Sequence, residues 1–231
     1  MANDYSYIRR NFEELRGEIS EIARQIGVKT PTLVAVTKSG TDEELLELVK
    51  AGASDIGENR PQEVKRRSEL ITAAGLSARM HEIGTLQRTK VKMVIDKAAL
   101  IHSVDSFKLA CDIDRLAEKC GIVMPILIEI NSAEEECKGG VLPCDAERLL
   151  NEILELNHVK AIGLMTMGPV SDTAEELRGY FRLTKKLFDE LSERYGFGDD
   201  SILSMGMSDS YRVAIEEGST LVRVGRKLFI K

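Results

Sequence analysis

A (β/α)8 TIM barrel, preceded by one extra helix, is the fold class that the sequence predicts. Three observations carry that reading. Eight short apolar runs alternate with seven helical stretches, the pattern of a parallel sheet with helices outside it. The 231 residues match the size of an α/β barrel built as one domain, here spanning 1–231. No GxGxxG follows the first run, so a Rossmann fingerprint is missing from the alternative, an open doubly wound sheet.

The elements follow in order. Residues 6 to 26 place Ile8, Phe12, Leu15, Ile19, Ile22 and Ile26 three or four apart, an apolar helical stripe. "TLVAVT" (32–37) is the first strand, and Ser39, Gly40 and Thr41 break it before a helix at 42–51. "SDIGEN" (54–59) leads to a helix at 61–74, "RMHEIG" (79–84) to one at 86–98, and "LIHSVD" (100–105) to one at 106–120. "MPILIEIN" (124–131) leads to a helix at 145–157, "VKAIGLMT" (159–166) to a long one at 172–195, and "SILSMG" (201–206) to a short one at 208–217. "TLVRVG" (220–225) is the eighth strand.

Composition narrows the function classes. The chain is 43% hydrophobic and 30% charged with a net charge of −6, which argues against a general nucleic-acid or membrane-surface binder. Cys111, Cys120, Cys137 and Cys144 form no CxxC pair and read as free thiols of a reducing compartment. The opening "MANDYSYIRRNFEEL" is polar and helical, unlike a secretory signal, and no apolar stretch is long enough to span a bilayer. A cytoplasmic monomer with no nucleic-acid or membrane partner is expected. Three scattered histidines and no carboxylate cluster give no metal site.

In such barrels the functional site lies at the C-terminal ends of the strands. Those ends carry Lys38, then Glu58 and Asn59, then His81, then His102, Ser103 and Asp105, then Glu129 and Asn131, then "LMTMGP", "SMGMS" and finally Arg223 and Gly225. Two of them suit an anion. "SMGMSDS" (204–210) runs from a strand through a glycine into a helix with Ser208 as its expected N-cap. "RVGR" (223–226) puts Gly225 where backbone can approach a ligand closely. Phosphate is often held at the last two strands of such barrels. A lysine on strand one, a phosphate nest on strands seven and eight, and an arginine on strand eight together suit pyridoxal 5′-phosphate. The amine meets the aldehyde, the nest the phosphate, and Arg223 the ring nitrogen. Burial in the barrel is expected to lower the lysine pKa and favour the neutral amine.

The chain resembles the pyridoxal-phosphate homeostasis proteins, which share the barrel of alanine racemase without its second domain. The resemblance runs from about Tyr7 to Phe229, through "LVAVTK", "GENRPQE", "HEIGTLQRTK", "HSVDS", "EINSAEEECKGG", "GLMTMGP" and the long "LSMGMSDSYRVAIEEGSTLVRVG". It implies that Lys38 carries an internal aldimine, that Asn59 sits beside the ring and that Arg223 faces the pyridine nitrogen. It implies that Ser204 or Ser208, with the backbone at Gly225 and Arg226, holds the phosphate, and that His81, Ser103 and Met165 line the pocket. Four positions depart from the family pattern. Glu82 replaces an aromatic, Thr89 an asparagine, Ser210 an aspartate, and Arg226 a small hydroxyl residue.

A carrier is expected rather than an enzyme. An arginine leaves the ring nitrogen unprotonated and the cofactor a weak electron sink. Racemisation needs proton groups on both faces of the substrate carbon, and only Lys38 is evident. The resemblance implies a regulator of vitamin B6 and amino-acid balance, and the carrier reading adds handover of the cofactor, with pyridoxal-phosphate-dependent apo-enzymes as candidate partners. The alternatives are a weak single-domain amino-acid racemase and a barrel enzyme using Lys38 on a sugar-phosphate aldehyde. His102 reads as a packed or capping residue and His158 as structural on the bottom face. Glu134 to Glu136 read as a solvated loop, the following "ECKGG" as a lid with Lys138 exposed, and Met165, Met167, Met205 and Met207 as core fillers.

Overall fold

The computed structural model describes residues 4–135, 138–169, 173–198 and 200–231. Eight parallel strands close on themselves in chain order: β1 (Thr32–Val36), β2 (Asp55–Glu58), β3 (Arg79–Glu82), β4 (Ala98–Val104), β5 (Met124–Glu129), β6 (Val159–Met165), β7 (Ile202–Ser204) and β8 (Leu221–Val224). The ring is sealed by β1 against β8, where Val34 pairs with Arg223 and Ala35 with Val224. The helices are α1 (Ser6–Ile26), α2 (Asp42–Lys50), α3 (Pro61–Ala73), α4 (Phe107–Cys120), α5 (Ala146–Leu154), α6 (Arg178–Tyr195) and α7 (Tyr211–Glu216).

Strand alternation sorts the side chains into two cores. One face of each strand meets the helices in a large cluster that includes Ala35, Ile56, Met80, Ile101, Ile126, Ile128, Val222 and Val224. The other face points into the barrel, where Leu100, Leu127 and Met165 form a separate small cluster. The barrel interior is therefore a packed plug with polar groups threaded through it, and only its upper rim is open to a ligand.

α1 buries Tyr7, Ile8, Phe12, Leu15, Ile19 and Ile22, as its spacing predicts, but Ile26 is exposed. The helix ends there, because Gly27 takes the left-handed conformation that stops a helix. α1 also holds the barrel seam: the Asn11 amide donates to the carbonyls of Leu228 (3.3 Å) and Ile230 (2.7 Å). α2 opens with a capping box between Thr41 and Glu44.

Three helices differ from the sequence reading. The stretch expected at 86–98 is a short 3-10 segment, Arg88–Met93, and Ala98 already belongs to β4. Thr89, Val91, Val94 and Ile95 are β-branched, which weakens an α-helix there. The helix expected at 172–195 is a 3-10 turn, Glu175–Leu177, followed by α6, and residue 172 lies outside the described residues. The short helix expected from 208 starts at Tyr211, with Ser210 rather than Ser208 as its N-cap residue. Among the described residues, no helix is long and apolar enough to cross a membrane. Cys111, Cys120 and Cys144 are free, while Cys137 and Glu136 lie outside the described residues.

Candidate functional site

Lys38 stands two residues past the end of β1. Thr37 is fully buried, but Lys38 is exposed at the rim. The expected desolvation of this lysine is thus corrected: the chain has already turned, with the Gly40 N–H bonded to the Thr37 carbonyl (2.9 Å). Lys38 borders a cleft of about 310 Å³ together with Ser39, Glu58, Asn59, Arg60, Glu63 and Arg67. Asn59 is exposed on that cleft, and Gly84 packs against its backbone, where a Cβ would stand 2.2 Å from the Asn59 carbonyl oxygen.

The turn that presents Lys38 is clamped from behind. Arg67 on α3 donates to the carbonyls of Thr37 (2.6 Å) and Gly40 (2.8 Å) and lies 2.9 Å from the Glu58 carboxylate. The Thr37 hydroxyl donates to the same carboxylate. The sequence reading missed Arg67. The signal was present, because Arg67 falls on the buried stripe of α3 with Val64 and Ile71. Burial holds the Glu58 carboxyl above its ordinary range, opposed by the Thr37 hydroxyl and Arg67.

Glu82 pairs in register with Glu58 and is equally buried. One of its oxygens accepts from the Gly84 N–H (3.0 Å), while Oε2 of Glu82 and Oε2 of Glu58 have no partner among the described residues. Burial pushes the Glu82 carboxyl up to about 8, the Gly84 N–H works against this, and the Glu58 charge adds to it. From about 4.5, its ordinary value, to about 8 the native chain keeps a proton that the unfolded chain has released. Stability contributed by this group is therefore complete below about 4.5 and lost as pH rises to about 8. Glu82→Gln is expected to remove that slope and to stabilise the protein at pH 8 by on the order of 3 kcal/mol relative to its effect at pH 5. Urea unfolding of both proteins at the two pH values checks this. Equal wild-type-to-variant differences at both would contradict it.

Inside the barrel, Arg223 on β8 is buried and donates to the Ser204 hydroxyl (2.5 Å) and the Thr166 carbonyl (3.0 Å). Burial pulls its pKa down to about 10, and Glu129 opposes that. Glu129, at the end of β5, is pushed up to about 7 by burial and by Asp105, with Arg223 drawing it down. Ser204 continues to His102 (3.0 Å), His102 to His81 (2.9 Å) and His81 to Asp55 (2.9 Å). Three expectations are revised by these contacts. Ser204 lies under the rim, engaged by His102 and Arg223, rather than at a phosphate. His81 is within the barrel wall's polar chain rather than lining an open pocket. His102 is a linking member of that chain rather than a packing or capping residue. Ser103 faces away from it and donates to the Gly84 carbonyl (2.5 Å). Met165 is buried in the interior cluster, level with Ser204 and Glu129, its register partners.

The loops after β7 and β8 lie together. The Gly225 N–H donates to the Ser208 hydroxyl (3.3 Å), and a Cβ on Gly225 would stand 2.9 Å from the Val36 carbonyl oxygen. Glycine there lets the β8 loop touch β1 just before Lys38. The N–H groups of Ser208 and Arg226 find no acceptor among the described residues. The Arg226 side chain is exposed and paired with Asp209. Buried serine, glycine backbone and free N–H groups thus form a cradle suited to a phosphate beside the lysine strand.

The remaining candidates fall outside this constellation. Met205 is buried in the large outer cluster and Met165 in the interior one, but Met167 and Met207 are exposed and fill no core. Lys138 is half-buried rather than exposed, bonded to Glu135 (3.0 Å) and to the Gly168 carbonyl (3.1 Å). His158 lies below β6, its N–H bonded to Asp114 (2.7 Å). Among the described residues, no group of three His, Cys, Asp or Glu side chains is placed to hold a metal.

Comparison with known proteins adds the family. The alanine racemase N-terminal domain family matches residues 8–230. A pyridoxal phosphate homeostasis protein of Aquifex aeolicus is 42% identical over 88% of both chains. A protein of unknown function from Bifidobacterium adolescentis superposes with a TM-score of 0.90 at 33% identity, covering 99% of this chain and 98% of that one. PipY of Synechococcus elongatus, solved with PLP bound, superposes with a TM-score of 0.84 at 29% identity over 96% of this chain and 100% of that one. With a closed barrel, a lysine just past the end of β1 and a buried arginine on β8, the chain belongs to the pyridoxal phosphate homeostasis proteins of the alanine racemase N-terminal domain family.

Proposed function

We propose that the protein binds pyridoxal 5′-phosphate at the barrel rim and serves as a cytoplasmic, monomeric carrier that buffers the cofactor and passes it to apo-enzymes. The observation that carries this is the pairing of β8 with β1, which sets the strand leading to Lys38 beside the strand carrying Arg223, with the Ser208–Gly225 contact on the same seam. The PLP-bound PipY relative supports it. Lys38 is the residue that would hold the cofactor, its primary amine being the group suited to an aldehyde. The Ser208 hydroxyl and the N–H groups of Ser208 and Arg226 hold the phosphate, Asn59 flanks the ring, and Met165 forms the floor. Arg223 donates a hydrogen bond to the ring nitrogen. Bound pyridoxal phosphate supplies an electron sink whose strength depends on a proton at that nitrogen. Arg223 does not release its proton, so the sink stays weak and binding without turnover follows.

One feature favours a second reading, a weak amino-acid racemase. Glu129, poised near neutrality beside Arg223, is a carboxyl able to move a proton at the rim. Incubation with L-alanine and chiral analysis separates the two, since exchange that disappears in Glu129→Gln supports the enzyme.

The binding reading is tested by adding pyridoxal phosphate, recording the absorption spectrum, reducing with borohydride and mapping peptides. A visible band and a single pyridoxyl adduct on Lys38 are expected. A protein that stays colourless and yields no adduct overturns the reading.

A further inference from the structure

The polar chain through the barrel has only one fully satisfied arrangement of its hydrogens. Its two ends are fixed by chemistry. Arg223 has donors and no acceptor, so it donates to the Ser204 oxygen (2.5 Å). The Asp55 carboxyl lies below its ordinary range: burial raises it, but His81, Arg79 and Ser54 together outweigh burial. An ionised Asp55 only accepts, so His81 donates to it through Nε2 (2.9 Å).

The middle then follows. With Nε2 protonated, a neutral His81 offers Nδ1 as an acceptor, and His102 Nε2–H fills it (2.9 Å). His102 in turn offers Nδ1, and the Ser204 hydroxyl donates to it (3.0 Å). Every bond points the same way, from Arg223 through Ser204, His102 and His81 to Asp55. The opposite arrangement puts two protons on His81 and turns His102 round to donate to Ser204. The Ser204 hydroxyl hydrogen would then find no acceptor among the described residues, and a second cation would be buried near Arg223. Burial, together with His81 and Arg223, also holds the His102 pKa well below its ordinary value.

The chain enters the barrel at its floor and finishes under its rim. Asp55 opens β2 and is braced by the Ser54 hydroxyl (2.7 Å) and by Arg79, whose side chain is largely exposed (Nε to Oδ1 2.8 Å, Nη2 to Oδ2 2.8 Å). His81, His102, Ser204 and Arg223 then come from β3, β4, β7 and β8. All four are buried. Five strands thus contribute one link each.

We propose that Asp55, His81, His102 and Ser204 are positioning residues for Arg223, a one-directional relay that sets how the guanidinium is held and which of its donors remains for the rim. The relay rests on the binding reading only for what Arg223 faces. Its geometry is made by this chain's own side chains, without a ligand. A carboxylate at the floor thereby fixes the donor presented under the rim, with neutral imidazoles carrying the polarity between them.

The test is nitrogen-15 NMR of the histidine and arginine side chains in the full-length protein, with and without added pyridoxal phosphate. In both states His81 and His102 are expected as single tautomers protonated at Nε2. His158, outside the relay, is the internal control. Asp55→Asn removes the carboxylate two rings away from Ser204. It is expected to give His102 a mixed tautomer and to speed exchange of the Arg223 Nη protons about tenfold or more, the factor that accompanies loss of one charge-assisted bond. Ser204→Ala, a smaller change, is the second variant. It is expected to speed the same Arg223 exchange and leave His81 unaltered. A proton on His102 Nδ1 in the wild type overturns the relay, and so does an Arg223 signal indifferent to both variants. Uptake of pyridoxal phosphate, measured on the same samples, reports separately on the binding reading: tautomers as stated in a protein that takes up no cofactor leave the relay standing and sink the carrier.

Discussion

Arg67→Ala is expected to destabilise the protein by about 3–5 kcal/mol, the cost of leaving one partner of a buried ion pair alone. Three losses combine. Glu58 loses its Arg67 partner in a fully buried site where one carboxylate oxygen already has no partner among the described residues. The carbonyls of Thr37 and Gly40 lose their donors. The turn carrying Lys38 loses its clamp. Arg67→Lys keeps a charge but lacks the planar fork that reaches both carbonyls and the carboxylate, so an intermediate loss is expected. Urea or thermal unfolding measures both. A loss below about 1 kcal/mol for Arg67→Ala would show that the turn is held by something else.

Lys38→Ala is expected to do the reverse. The side chain is exposed and makes no hydrogen bond or ion pair with the described residues, so stability should change by no more than about 0.5 kcal/mol. Capture of pyridoxal phosphate should be abolished: no visible band, no adduct after borohydride, and free cofactor recovered on gel filtration. Residual non-covalent retention through the phosphate cradle is compatible with the carrier. An undiminished band would place the covalent link on another lysine. The contrast between the two variants separates the residue that reacts from the residue that holds it in place.

The barrel was legible because each apolar run has strand length and each helix a stripe of the right period. Where periodicity alone was used, it erred. The stretch 86–98 has helical spacing of Val91, Val94 and Ile95, yet its β-branched residues settle into a 3-10 turn. The rim position of the expected site residues Lys38, Ser208 and Gly225 could be read because a barrel brings strand ends to one rim. Residues inside the barrel could not. Whether His81 lines a pocket or meets His102, and whether Ser204 holds a phosphate or an arginine, depends on which side chains meet across the interior. That is a property of closure and not of any local stretch. Arg67 escaped because a charged residue on a helix normally faces water. Its position between Val64 and Ile71 was the clue.

Lys38 follows the first strand of the ring and Arg223 lies on the last, so most of the sequence separates the two groups expected to hold one ligand. A partly synthesised chain therefore contains a lysine but no site. On the proposed reading, binding competence waits for β8 to dock on β1, where α1 fastens the 226–230 segment through Asn11. A ligand held across this seam counts only finished molecules, and by mass action it draws the folding equilibrium toward them.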